Sequence, residues 1–159
     1  MVGRRMEAIS IVGREVMVPR GIIGLGYDSL DYCGGAIREI FETVAVPTNM
    51  PVLIHCTQGK DRTGIVVALL LLLCQVPIPS ITADYLISED ELKSQLPERM
   101  AEIREVGLTP EFAGCPPDWI EKMNAYIVDK YGGIEAYLEF IGVDETTRTD
   151  VMKALVNNM

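Results

Sequence analysis

Histidine occurs once in these 159 residues, at position 55. Zinc sites need several Cys or His ligands at short spacing, and the four cysteines (33, 56, 74 and 115) form no C-x-x-C pair. A metal centre is disfavoured, and no cofactor is expected. Basic residues are also scarce. Fourteen Lys and Arg stand against 23 Asp and Glu, a formal charge of −9. Phosphate backbones demand clustered cations, so nucleic acid is not an expected partner. The same acidity argues against docking on anionic membranes. Long apolar runs are missing too. The run Ile65 to Cys74 has ten residues, against roughly 20 needed to span a bilayer. It reads as a helix buried on all sides, with no stable membrane insertion. Met1-Val2-Gly3-Arg4-Arg5 is basic, but no apolar stretch of a secretory leader follows it. A reducing, cytoplasmic setting with free thiols is the expectation.

What is present describes a globular chain. Hydrophobic residues make up 48% and charged residues 23%, enough for one domain over 1–159 with a real core. Residues Ala8 to Val18 read as irregular, a short helix, or one or two minimal strands. Gly21, Gly24 and Gly26 suggest a tight-turning loop; their G-x-x-G-x-G spacing is not a dinucleotide fingerprint. Ile37, Ile40, Phe41 and Val44 share one face of a helix running from Asp28 to about Ala45, weakened at Gly34-Gly35. Pro51-Val52-Leu53-Ile54 reads as a strand. Helices follow from Ser80, from the Ser88-x-x-Glu91 capping box, from about Pro97 to Gly107, from Pro116-Pro117 to Tyr131, on to Ile141, and from Asp144 or Thr146.

Between the strand and the apolar helix lies His55-Cys56-Thr57-Gln58-Gly59-Lys60-Asp61-Arg62-Thr63-Gly64. A loop at a helix N-terminus turns backbone N–H groups inward at the positive end of the helix dipole, and so cradles an anion. The same field stabilises a thiolate at Cys56, the nucleophilic form. Arg62, in the first helical turn, can grip two oxygens of a phosphate-like dianion. A cation is badly placed there unless an anion joins it. Gly59 permits positive φ or close approach to the anion, and Gly64 permits close helix packing. Thr63 can donate its hydroxyl to the Cys56 sulfur. His55 points opposite to Cys56 by strand alternation, which assigns it to support rather than proton transfer.

This run resembles the signature of the cysteine-dependent tyrosine and dual-specificity phosphatases, His-Cys-x5-Arg-Ser/Thr-Gly, in the atypical form shared by bacteria and fungi. Asp84-Tyr85-Leu86-Ile87-Ser88 is similar to the family's Asp-Tyr-Leu-Leu-Ser segment. Tyr131-Gly132-Gly133, Tyr137-Leu138 and Gly142 are similar to its C-terminal helices. The resemblance covers roughly residues 25 to 155. It implies an α/β fold with a central strand, phosphate loop and buried helix, a helix-rich C-terminal half and a reduced sheet. It also implies that the chain is the C-terminal portion of a larger domain, or completes its sheet by oligomerisation or exchanged elements. The implied activity is phosphoester hydrolysis through a cysteinyl-phosphate, with Cys56 as nucleophile, Arg62 as clamp, and Thr57, Gln58, Gly59, Lys60, Thr63 and Gly64 around the phosphate. The substrate would be a phosphorylated protein, or a phosphoinositide if Lys60 adds field for a multiply charged headgroup.

The general acid stays open between Asp61, within the loop, and Asp28 or Asp31, upstream of it. Asp118 reads as a helix start. Asp84 is placed beneath the loop, bonding loop groups or Arg62. Cys33 and Cys115 are both candidate redox partners for Cys56. Two other classes also use a cysteine in an anion-binding loop: sulfur transfer or arsenate reduction, and a non-catalytic phosphate-binding module.

Overall fold

The computed structural model describes residues 2–156 as a helical assembly, with no strand among them. The order is α1 (Val2–Val12), a π-helical turn (Gly13–Met17), α2 (Val18–Tyr32), α3 (Gly34–Val44), the segment and loop leading to position 60, and α4 (Asp61–Leu73). Then follow α5 (Ile78–Glu91), α6 (Leu96–Glu105), α7 (Trp119–Tyr131), α8 (Ile134–Phe140) and α9 (Glu145–Val156).

α4 is the centre. Ile65, Val66, Ala68, Leu69, Leu70 and Leu73 are buried on several of its faces, and α2, α5, α8 and α9 pack around it. Each such aliphatic side chain contributes about 1.5–3 kcal/mol on full burial. This burial fixes the α4 N-terminus, and with it the loop that carries Cys56. No helix of the described residues is long and apolar enough to cross a membrane.

α7 presents Trp119, Ile120, Met123 and Ile127 to the core. It ends at Gly132, whose left-handed φ of 89° lets the chain turn. In α8, buried Tyr137 donates to the Leu30 carbonyl at 3.0 Å and so ties α8 to α2. α9 starts where expected, with the Thr147 N–H donating to Asp144 Oδ1 at 2.7 Å.

The expected α/β architecture is not found. Val52–Cys56 is extended and its exposure alternates as in a strand, with Leu53 87% exposed while Val52 and Ile54 pack on the core. A strand also needs a neighbour to take its N–H and C=O groups. The segment offered as that neighbour, Ala8 to Val18, is instead helical, and its Gly13 lies against the backbone of Val106. The extended segment therefore stands alone among the described residues.

Other differences follow from packing. Gly21, Gly24 and Gly26 lie inside α2, not in a loop. Gly21 kinks it with φ 64°, and Gly26 leaves room for Met123 and Trp119 of α7. The helix expected from Asp28 to Ala45 is divided between α2 and α3 at Cys33. Ser88 lies within α5 and does not cap a new helix.

Candidate active site

Cys56 ends the extended segment and faces the N-terminus of α4. Its thiol is brought down from 9.0 to about 7. Burial is the largest single influence and pushes the value up. It is outweighed by donation from the Thr63 hydroxyl and from the N–H groups of Thr63, Gln58 and Gly59. The Thr63 hydroxyl is buried with no hydrogen-bond partner, which leaves it free to donate to a thiolate at Cys56. Gly59 has φ 70°, the left-handed conformation in which its N–H turns inward without a side-chain clash. Gly64 lets α4 approach α5: a Cβ there would lie 3.0 Å from the Tyr85 ring.

Arg62 is exposed, and its guanidinium donates to Thr57 Oγ1 at 2.8 Å. Among the described residues no carboxylate pairs with it within 4.0 Å, so its charge is available to an anion in the loop. His55 is exposed, with Nδ1 3.4 Å from the Cys56 carbonyl oxygen, a backbone contact rather than a contact with the sulfur.

Lys60 lines the cavity beside Cys56, but its side chain is buried. It is 1% exposed. Its ammonium donates to both Asp61 oxygens at 2.8 Å and to the Gly114 carbonyl at 2.9 Å. Asp61 keeps 37% of its side-chain surface and lines the cavity beside Cys56. Tyr85 Oη donates to its Oδ1 at 3.3 Å. Burial drives the Tyr85 phenol well above the ordinary tyrosine range, so it stays a neutral donor. Asp84, expected beneath the loop, is exposed on α5 and borders only a small recess that Gly59, Lys60 and Thr63 also line.

The cavity holds about 670 Å³. Cys56, Thr57, Gln58, Asp61 and Arg62 form its polar end; Ile22, Leu25, Ile103, Leu108, Phe112 and Trp119 are among its apolar walls. Asp28 also lines it, ion-paired with Arg20, whose hydrogen bond holds the carboxyl below its usual range. Asp31 is outside this cavity. Burial opposes its ionisation, but donation from Lys130, Tyr131 and Tyr126 wins and holds its pKa down. Asp118 starts α7 and pairs with Lys122 at 2.6 Å. All four cysteines are free. Cys33 lines the same cavity as Cys56, whereas Cys115 is buried near Tyr85 and Lys60. No group of three or more His, Cys, Asp or Glu able to hold a metal occurs among the described residues.

Sequence reasoning did not find Arg99, which reaches Gln58 from α6, nor Trp119, which stacks on Tyr85 at 4.9 Å beneath the loop. Both lie more than 35 residues from Cys56, and no local spacing marks them.

Comparison with known proteins shows the family. The tyrosine phosphatase family profile matches residues 25–157. A tyrosine-protein phosphatase of Nostoc commune is 32% identical over 156 residues, covering 87% of this chain and 53% of its own length. The triple specificity protein phosphatase PtpB of Mycobacterium tuberculosis is 31% identical over 129 residues, covering 71% of this chain and 47% of its own length. The chain thus spans about half the length of these curated relatives. With the profile matched over most of its residues, the chain belongs to the tyrosine phosphatase family.

Proposed function

We propose that the chain hydrolyses phosphotyrosine in proteins, and phosphoserine or phosphothreonine more slowly, through a cysteinyl-phosphate on Cys56. The observation that carries this reading is the Cys56 thiol held at about 7 by donors of one loop, on the same cavity as Arg62, which has no carboxylate partner among the described residues. The thiolate attacks phosphorus, an S–P bond forms and the tyrosyl P–O bond breaks. Arg62 and the loop N–H groups hold the equatorial oxygens as charge grows on them. Water then attacks phosphorus, releasing phosphate and the thiolate, which Thr63 stabilises as leaving group. The apolar walls suit an aryl ring at the mouth of the loop.

Asp61 is the acid we assign. It is the loop carboxylate, lies on the cavity, and retains exposure. In the second step Asp61 takes a proton from the attacking water, which restores the acid. Asp28 is the alternative, and its pairing with Arg20 holds its carboxyl below the usual range, which opposes proton donation. Asp31, locked outside the cavity by its three partners, is not assigned a role in proton transfer. A phosphoinositide substrate loses its main support, because Lys60 is spent on Asp61 and Gly114.

The test is turnover of p-nitrophenyl phosphate and a phosphotyrosine peptide in reducing buffer. Turnover abolished by Cys56→Ser supports the reading. Phosphopeptide binding without turnover would replace it with a binding module. Turnover of thiosulfate or arsenate in place of phosphoesters would move the chain to the sulfur-transfer or arsenate class.

A further inference from the structure

Two buried cations, Lys60 within the loop and Arg99 outside it, hold the neighbouring chain, and they are not equivalent. Lys60 is 1% exposed and is neutralised by Asp61. Arg99, on α6, is 6% exposed. Among the described residues no carboxylate lies within 4.0 Å of it. One guanidinium nitrogen donates to the Ala113 carbonyl at 2.7 Å and, more weakly, to Gln58 Oε1 at 3.4 Å. Its Nε is buried with no partner. A buried charge without a countercharge is costly, and an anion in the adjacent loop reduces that cost. Gln58 in turn contributes a backbone N–H to the Cys56 sulfur.

We propose that Arg99 is a positioning residue of the anion site, holding Gln58 so that its N–H stays aimed at the nucleophile and the bound phosphate. Arg99 does not line the cavity, so it acts through the loop and not on the substrate. It works with Lys60. The two cations hold the consecutive carbonyls of Ala113 and Gly114, and so fasten the stretch carrying Phe112, a cavity wall, to the loop at Gln58 and Lys60. This rests on the reading of Cys56 as an anion-site nucleophile.

The experiment measures protection of Cys56 from iodoacetate by inorganic phosphate, read at the Cys56 peptide by mass spectrometry. It compares the parent protein, Arg99→Met, Gln58→Leu and the double variant, with melting temperature in parallel. Loss of the Gln58 restraint is expected to weaken phosphate about tenfold in each single variant, with no further loss in the double, because coupled residues are non-additive. If Arg99→Met does not fold, Gln58→Leu removes the same acceptor from a half-buried loop position and is expected to give the same loss. A lowered melting temperature with unchanged phosphate protection overturns the assignment, as do losses that add in the double variant. Absence of protection in the parent overturns the reading of the loop itself, and the role of Arg99 with it.

Discussion

Replacing Thr63 by valine tests how the thiol of Cys56 is brought down from 9.0 to about 7. Valine keeps the branched shape and the backbone N–H, and removes only the hydroxyl. A hydrogen bond to a charged group is worth about 1.5–3 kcal/mol, and one pKa unit corresponds to about 1.4 kcal/mol. The Thr63 contact shares its work with three N–H donors, so the low end applies, and the thiol should rise by about one unit. The sign runs as for any acid: below the folded-state value the thiolate fraction falls about tenfold per pH unit. At pH 6 the variant should therefore hold about tenfold less thiolate. A more basic thiolate is also more nucleophilic, with a Brønsted slope of about 0.4–0.5. The alkylation rate of Cys56 with iodoacetamide should thus be about threefold lower at pH 6 and about threefold higher on the alkaline plateau, so the two profiles cross. Coincident profiles would refute the role of the hydroxyl, and a parent midpoint near 9 would refute the loop's effect altogether.

Other perturbations separate site from scaffold. Asp61→Asn should slow alkyl phosphates more than p-nitrophenyl phosphate, by roughly 10²–10⁴-fold for the poorer leaving group; equal losses would remove it as the acid. Gly64→Ala should destabilise the fold, because the new Cβ would meet the Tyr85 ring at 3.0 Å, and a loss of about 1–3 kcal/mol by chemical denaturation is expected. Tyr137→Phe leaves the Leu30 carbonyl without its 3.0 Å donor and should lower stability by about 1–2 kcal/mol with turnover unchanged. Asp31→Ala removes the acceptor of Tyr126, Lys130 and Tyr131; stability should fall while turnover of p-nitrophenyl phosphate is kept.

The grouping of Cys56, the Gln58, Gly59 and Thr63 N–H groups and Arg62 was legible in the sequence because they form one contiguous loop. Gly59 and Gly64 were legible for the same reason: each solves a local problem, a positive φ and a close helix approach. The burial of α4 followed from its unbroken apolar run. What escaped depends on distant parts of the chain. A strand exists only with a partner, so the reading of Pro51–Ile54 as the centre of a sheet failed once Ala8–Val18 proved helical. Helical phase decided between Asp84 and Tyr85: Ile81 and Tyr85 are four apart and share the buried face, which leaves Asp84 outside. The contact of Lys60 with Gly114 was not legible, because that residue lies 54 positions away, and Arg99 was silent in the sequence for the same cause.

The central claim is that Cys56 becomes phosphorylated. Mixing the protein with a phosphotyrosine peptide, quenching in acid within milliseconds and digesting under acidic conditions would show it directly. The account predicts a phosphate adduct on the Cys56 peptide, enriched in Thr63→Val if the hydroxyl aids expulsion of the thiolate, and absent from Cys56→Ser. Turnover with no adduct on Cys56 at any quench time, or an adduct on another residue, would contradict it.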